Sequence, residues 1–204
     1  MKRTILFITL FLIAIISASA QITFGPKVGF NLSKEHFGEK LIDEDVDFRT
    51  GVSAGFFGKY KIKDKFAVQA ELFYSQQGYK DNVSVTYVGG YAIRNGYKIL
   101  SHNLNIPVLF NYYIYKGFYV EAGPQLGFCF GARLQHDEDG IDETFDMDRE
   151  LIDFSLAGGV GVDIGNRLSV NARYNHGFTE TTPESSFKIR VIQISLSYNL
   201  WSNR

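Results

Sequence analysis

Serine, histidine and a carboxylate within hydrogen-bond reach of one another make an acyl-transfer or ester-hydrolysis site. The chain carries four histidines, His36, His102, His136 and His176. Whether a serine and an acid meet any of them is decided by mutual geometry, which spacing along the chain does not set. His102 and His176 fall near strand ends on faces that alternation turns outward, while His36 and His136 fall in connections. Rim histidines at a polar–apolar boundary are the expected reading, and no catalysis is expected.

Two further carboxylates could move protons. Glu71 and Glu121 stand in the middle of alternating segments, on the polar face, where a carboxylate withdrawn from water needs a partner. Lys27, Arg49 and Arg173 occupy the same face of other segments. The simplest expectation is an interior polar network of Lys27, Arg49, Glu71, Glu121 and Arg173 that is structural.

Asp137, Glu138, Asp139, Asp142, Glu143, Asp146, Asp148 and Glu150 could offer oxygens to Ca²⁺. They miss the EF-hand pattern, because Gly140 follows Asp137 too soon, so a solvated charge run is expected and no metal site is assigned. Gly159-Val160-Gly161 has the first two glycines of a dinucleotide loop, but Ile164 stands in the third place and no helix follows. No cofactor is expected. The lone Cys129 rules out an internal disulfide framework and reads as a small inward thiol near a strand end.

The elements that would position these residues are strands. From Leu104 the chain reads LNIPVLFNYYIYKGFYVEAGPQLGF. Leu104, Ile106, Val108, Phe110, Tyr112 and Ile114 alternate with Asn105 and Asn111, and after Tyr115-Lys116-Gly117 the period of two resumes through Phe128. The polar face carries Asn105, Glu121 and Gln125 with Gly123 and Gly127, and the opposite face is large and apolar. Strands of roughly ten residues with that polarity are what a membrane-spanning barrel needs, with lipid outside and a polar interior.

The same pattern recurs along the chain. Strands are expected at Thr23–Ser33, Phe48–Tyr60, Phe66–Tyr74, Leu151–Ile164, Leu168–Phe178 and Lys188–Trp201, besides the two of the central hairpin. Outward positions are held by Val28, Phe30, Phe56, Leu72, Leu156, Val160, Ile192 and Ile194, and inward ones by Lys27, Gly51, Gly55, Lys59, Glu71, Gly159 and Arg173. The expected connections alternate between short turns at 61–65, 115–117 and 165–167 and long solvated loops near 34–47, 80–96, 133–149 and 179–187. Gly89-Gly90 and Asn95-Gly96 are both expected to be turns, and Val83, Val85 and Tyr87 are expected to extend the strands beyond the bilayer as a hairpin.

These features specify an all-β fold, an eight-stranded antiparallel up-and-down transmembrane β-barrel. Closure is forced, because an open strand edge in lipid leaves backbone groups without partners at several kcal/mol each. At this size side chains fill the interior, so no open pore is expected. The mean hydropathy of -0.08 does not argue against a membrane, since lipid-facing and inward residues cancel in the average.

Residues 1–20 carry Lys2 and Arg3, an apolar run from Ile5 to Ile16 and an Ala18-Ser19-Ala20 site, the layout of a cleaved secretory signal peptide. Residues 21–204 are then one barrel domain. With a formal net charge of -1 there is no basic stripe for nucleic acid. The expected location is the outer membrane of a Gram-negative cell. The expected partners are outer-membrane lipid, lipopolysaccharide and envelope proteins, and a monomer is expected.

Gly25 to Ser33 (GPKVGFNLS), Leu104 to Tyr113 (LNIPVLFNYY), Phe118 to Phe128 (FYVEAGPQLGF) and the tyrosine-bearing last strand resemble the PorT-like outer-membrane β-barrel proteins of Bacteroidetes. The resemblance spans the mature chain. It implies the barrel and the envelope location. The family's founding member is tied to protein secretion, which leaves an accessory place in a secretion complex as the alternative to a plain structural or interaction barrel. A rim-active lipid-modifying enzyme ranks below both.

Overall fold

The protein is described by a computed structural model over residues 21–37, 46–88, 91–138, 141–146, 152–179 and 187–202. The expected signal peptide and parts of the long connections lie outside these residues. Ten strands follow in order: β1 (Gln21–Phe37), β2 (Val46–Lys63), β3 (Phe66–Val88), β4 (Tyr91–Tyr115), β5 (Phe118–Glu138), β6 (Ile141–Asp146), β7 (Ile152–Ile164), β8 (Leu168–Gly177), β9 (Phe187–Tyr198) and β10 (Trp201–Ser202).

Eight of them make the barrel. Each pairs antiparallel with its neighbour in the order β1-β2-β3-β4-β5-β7-β8-β9, and β9 returns to β1 from Lys27↔Ser197 to Phe37↔Phe187. That last ladder closes the sheet, so no barrel strand presents a bare edge to lipid, as the backbone's need for partners demands. The expected last strand divides in two. β9 stops at Tyr198, and β10 re-pairs with β1 at Phe24↔Trp201. Gly25 permits the break, because a Cβ there would run into the Tyr198 carbonyl and lie 3.1 Å from the Leu200 nitrogen.

The turn at Lys116-Gly117 has φ of 33° and 85°, the two positive values that a two-residue hairpin matching strand twist requires. Lys116 accepts this conformation in a non-glycine residue because the flanking β4 and β5 ladders over-determine it.

The side-chain parity read from sequence holds around the wall. Lys27, Asn31, Glu71, Asn105, Glu121, Gln125 and Arg173 are buried, whereas Phe30, Phe56, Phe110, Leu156 and Ile194 are exposed. Phe30 shows 71 % of its surface and Arg173 only 2 %, an inversion of the soluble-protein pattern. Apolar surface of this extent encircling a molecule belongs against lipid. Phe57, Phe73, Leu109 and Tyr119 also point inward and are buried, so the interior is mixed in polarity.

Three of the four long connections are shorter than expected, because strands run through much of them; only the one between Gly177 and Phe187 keeps its expected length. β3 and β4 pair as far as Val88↔Tyr91, the hairpin extension expected of Val83, Val85 and Tyr87, while the expected turn at Gly89-Gly90 lies outside the described residues. Asn95-Gly96 is no turn: Asn95 pairs with Ser84, and Gly96 with Asp137. The run from Gln135 was expected to be a loop because of its charge, yet β5 continues to Glu138 and turns back as β6, with Arg133↔Asp146 and Glu138↔Ile141. Charge opposes burial of side chains but not pairing of backbones, and the Val83-Ser84-Val85-Thr86-Tyr87 run favours strands. At the first connection β1 extends to Phe37 and β2 begins at Val46.

Candidate functional site

Alternate strands deliver the charged groups to one level of the lumen. Lys27 comes from β1, Glu71 from β3, Glu121 from β5 and Arg173 from β8, each two strands from the next around the wall. Between β5 and β8 stands Gly159, paired with both Glu121 and Arg173. A Cβ on it would lie 3.2 Å from Glu121 Oε1 and 3.0 Å from Arg173 Cα. The glycine makes room for the two large side chains beside it.

The four groups form one connected cluster. Lys27 Nζ donates to Glu71 Oε1 at 2.8 Å. Arg173 donates from Nη1 to Glu71 Oε2 at 2.9 Å, from Nη2 to Glu71 Oε1 at 2.7 Å and from Nε to Glu121 Oε1 at 2.7 Å. Amides from the walls complete it. Gln69 Nε2 donates to Glu71 Oε1 at 2.5 Å, Asn111 Nδ2 to Gln69 Oε1 at 3.3 Å, and Asn171 Nδ2 to Glu121 Oε1 at 3.0 Å. Two cations meet two carboxylates, so the cluster is neutral as well as bonded, which is what lets ionised groups remain buried. Planar two-point contact with a carboxylate is a geometry that arginine offers and lysine does not.

Arg49 stands apart from this cluster. It is half-buried, and its Nη1 donates to the backbone carbonyl of Ile99 at 2.7 Å. Its height along the barrel axis separates Arg49 from the glutamates with which it was expected to share a network. Gln69, Asn111 and Asn171 were legible as inward residues but not as members of the cluster.

A second cluster forms a floor below the short-turn mouth. Asp163 Oδ2 accepts from the Tyr113 hydroxyl at 2.8 Å, while its Oδ1 accepts from Ser169 at 2.7 Å and from Lys59 Nζ at 3.4 Å. The Lys59 ammonium lies 4.6 Å from the centre of the Tyr119 ring, and Tyr113 packs against Tyr119 at 5.3 Å. Sequence reading placed Lys59 and Asp163 inward; Tyr113 escaped it, although its offset from Asn111 carried the signal.

Outside the wall, aromatic groups gather at both ends of the apolar band. Near the long-strand end, Tyr74, His102 and Phe130 are mutual neighbours, and Tyr74 Oη and His102 Nδ1 share a hydrogen bond at 2.5 Å. His176 sits between Tyr174 and Phe178, with Phe178 against Phe154. Near the short turns Phe66 packs on Tyr112, and Tyr115 and Trp201 are exposed. Rings with a polar edge settle at lipid headgroup level, which makes these two girdles the boundaries of the membrane band. The ring neighbours of His102 and His176 are aromatic, the arrangement of an interfacial belt. Cys129 is half-buried, with its Sγ 3.7 Å from the Gly131 carbonyl oxygen.

A family model described as outer membrane protein beta-barrel domain matches residues 17–182. Among solved structures the chain is similar to Neisserial surface protein A (NspA), at 12% identity over 87% of this chain and 97% of that one, with a TM-score of 0.54. Ail, the attachment invasion locus protein of Yersinia pestis, solved in complex with the heparin analogue sucrose octasulfate, is 12% identical over 88% of this chain and 97% of its own, with a TM-score of 0.46. OprG from Pseudomonas aeruginosa is 15% identical over 88% and 94%, with a TM-score of 0.39. The likeness to NspA carries the closed barrel fold. No curated protein sequence matches the chain.

Proposed function

Because the chain belongs to the outer membrane protein beta-barrel domain family, we propose that it is a small non-enzymatic barrel with a structural or interaction role at the cell surface. The observation that carries this reading is the Lys27–Glu71–Arg173–Glu121 cluster, which ties together strands on all sides of the lumen. A barrel crossed in this way is rigid and lacks a wide aqueous path. The work then falls to the end where β3, β4, β5 and β6 reach furthest from the apolar band.

In this reading residues 1–20 are a cleaved signal peptide, the short turns face the periplasm and the long strands face outward, following the asymmetry of bacterial barrels. The stretches Gly25 to Ser33, Leu104 to Tyr113 and Phe118 to Phe128 support a place among PorT-like barrels of Bacteroidetes. Its partners would be outer-membrane lipid, lipopolysaccharide and envelope proteins. An accessory role in a secretion complex is the second reading, and it rests on that resemblance alone.

Fractionation and gel migration test the proposal together with protease treatment of intact cells. The expected result is an outer-membrane protein whose migration shifts on boiling and whose long-strand end alone is cut from outside. Cleavage only after the outer membrane is opened would reverse the orientation and remove the surface role.

A further inference from the structure

We propose that the short-turn mouth is a binding vestibule for a compact polyanion carrying two or more phosphate or carboxylate groups. An open cavity of about 860 Å³ lies there, within the range that small-molecule sites occupy. All three tight turns reach it, through Asp64 and Lys65, Lys116 and Gly117, and Gly165 and Asn166.

Its charge is lopsided. Lys59, Lys61, Lys65 and Lys116 line it against Asp64 and Asp163. Asp163 is already engaged, holding Lys59, Tyr113 and Ser169 in the floor. That leaves Lys61, Lys65 and Lys116, to which no described carboxylate is ion-paired, facing Asp64 alone. Lys61 is held with its ammonium 5.8 Å from the Tyr113 ring centre, above the same floor.

The rest of the chain reinforces the asymmetry. Apart from Asp64, Glu71, Glu121 and Asp163, every acidic residue lies in the long connections or the strand ends next to them. A polyanion is therefore repelled from one end of the barrel and drawn to the other, and a cleft lined by one sign of charge focuses that attraction. One acidic group would leave part of the rim uncompensated, whereas two or three linked oxyanions match three ammonium groups.

Tripolyphosphate is a suitable probe, titrated calorimetrically into the full barrel refolded in zwitterionic detergent. The expected result is one saturable site, weakened about tenfold or more when Lys61→Gln, Lys65→Gln and Lys116→Gln are combined, and unchanged by Lys188→Gln at the opposite end. Boiling-dependent gel migration verifies that each variant is folded. Absence of a saturable site, or equal weakening by Lys188→Gln, would overturn the proposal. Repeating the titration in nanodiscs with and without cardiolipin, whose headgroup carries two phosphates, separates the sources. Competition by the anionic lipid identifies a headgroup as the ligand, and its lack identifies a soluble polyanion.

Discussion

Arg173 on β8 grips Glu71 on β3 through two N–H···O bonds of 2.9 and 2.7 Å, directly across the lumen. The two strands are diametrically opposed in the closed sheet. Lys27 on β1 and Glu121 on β5 stand at the ends of the other diameter, Lys27 bonded to Glu71 and Glu121 to Arg173. The Arg173–Glu71 pair thus ties the wall together in two directions.

Removing Glu71 tests how much that tie contributes. Glu71→Leu leaves Arg173 with only Glu121 and takes from Lys27 its carboxylate. We expect a loss of about 3 kcal/mol or more in unfolding free energy, the typical consequence of stranding a buried charge. Urea-unfolding midpoints in lipid vesicles measure it. An unchanged midpoint would mean that water, and not Glu71, balances the two cations.

Adjacent glycines provide a sharper comparison. Gly159 faces the cluster and would collide with it if given a side chain, whereas Gly158 faces outward and a Cβ on it meets nothing within 4 Å. Gly159→Val should destabilise by about 1–3 kcal/mol through overpacking, and Gly158→Val should be close to neutral. Equal effects at the two positions would contradict the inward–outward assignment of β7.

The lipid-facing surface predicts a dependence on depth. Ile194 is 54 % exposed and pairs with Phe30 and Ala172 at the level next to the cluster. Ile194→Arg should cost about 2–4 kcal/mol, and Phe178→Arg, at the aromatic girdle, about 0–1 kcal/mol. Refolding titrations into vesicles separate them; a reversed order would put the membrane band elsewhere on the barrel.

A crossed lumen should also pass little current. In planar bilayers the unmodified protein is expected to show no stable open-channel steps, while the combination Glu71→Ala, Glu121→Ala and Arg173→Ala should leak. Porin-like steps from the unmodified protein would remove the filled-lumen argument.

Much of this molecule was legible along the chain. Alternation of period two at Phe66–Ser75 and Leu104–Phe128 sets which residues face lipid, because neighbouring strand positions point to opposite sides whatever the tertiary arrangement. The inward placement of Lys27, Glu71, Glu121 and Arg173 follows from that local rule. So do the three short turns, whose Gly117 and Gly165 take the positive φ that tight turns demand.

Height along the barrel axis was not legible. Parity tells which way Arg49 and Arg173 point, but the stagger between strands decides which inward groups share a level, and the stagger is a property of the closed sheet. For that reason Arg49 reaches the Ile99 carbonyl while Arg173 reaches both glutamates. Strand ends were equally hidden at Asn95-Gly96 and Gln135–Glu138, where turn and charge signals suggested loops but an available neighbouring strand satisfied the backbone. The amino-acid sequence by itself determined the face of each residue and the membrane as its surroundings, since both depend on side-chain chemistry at a local repeat. Only the tertiary structure decided which charges meet and how far the strands run, since both depend on pairing between residues distant in the chain.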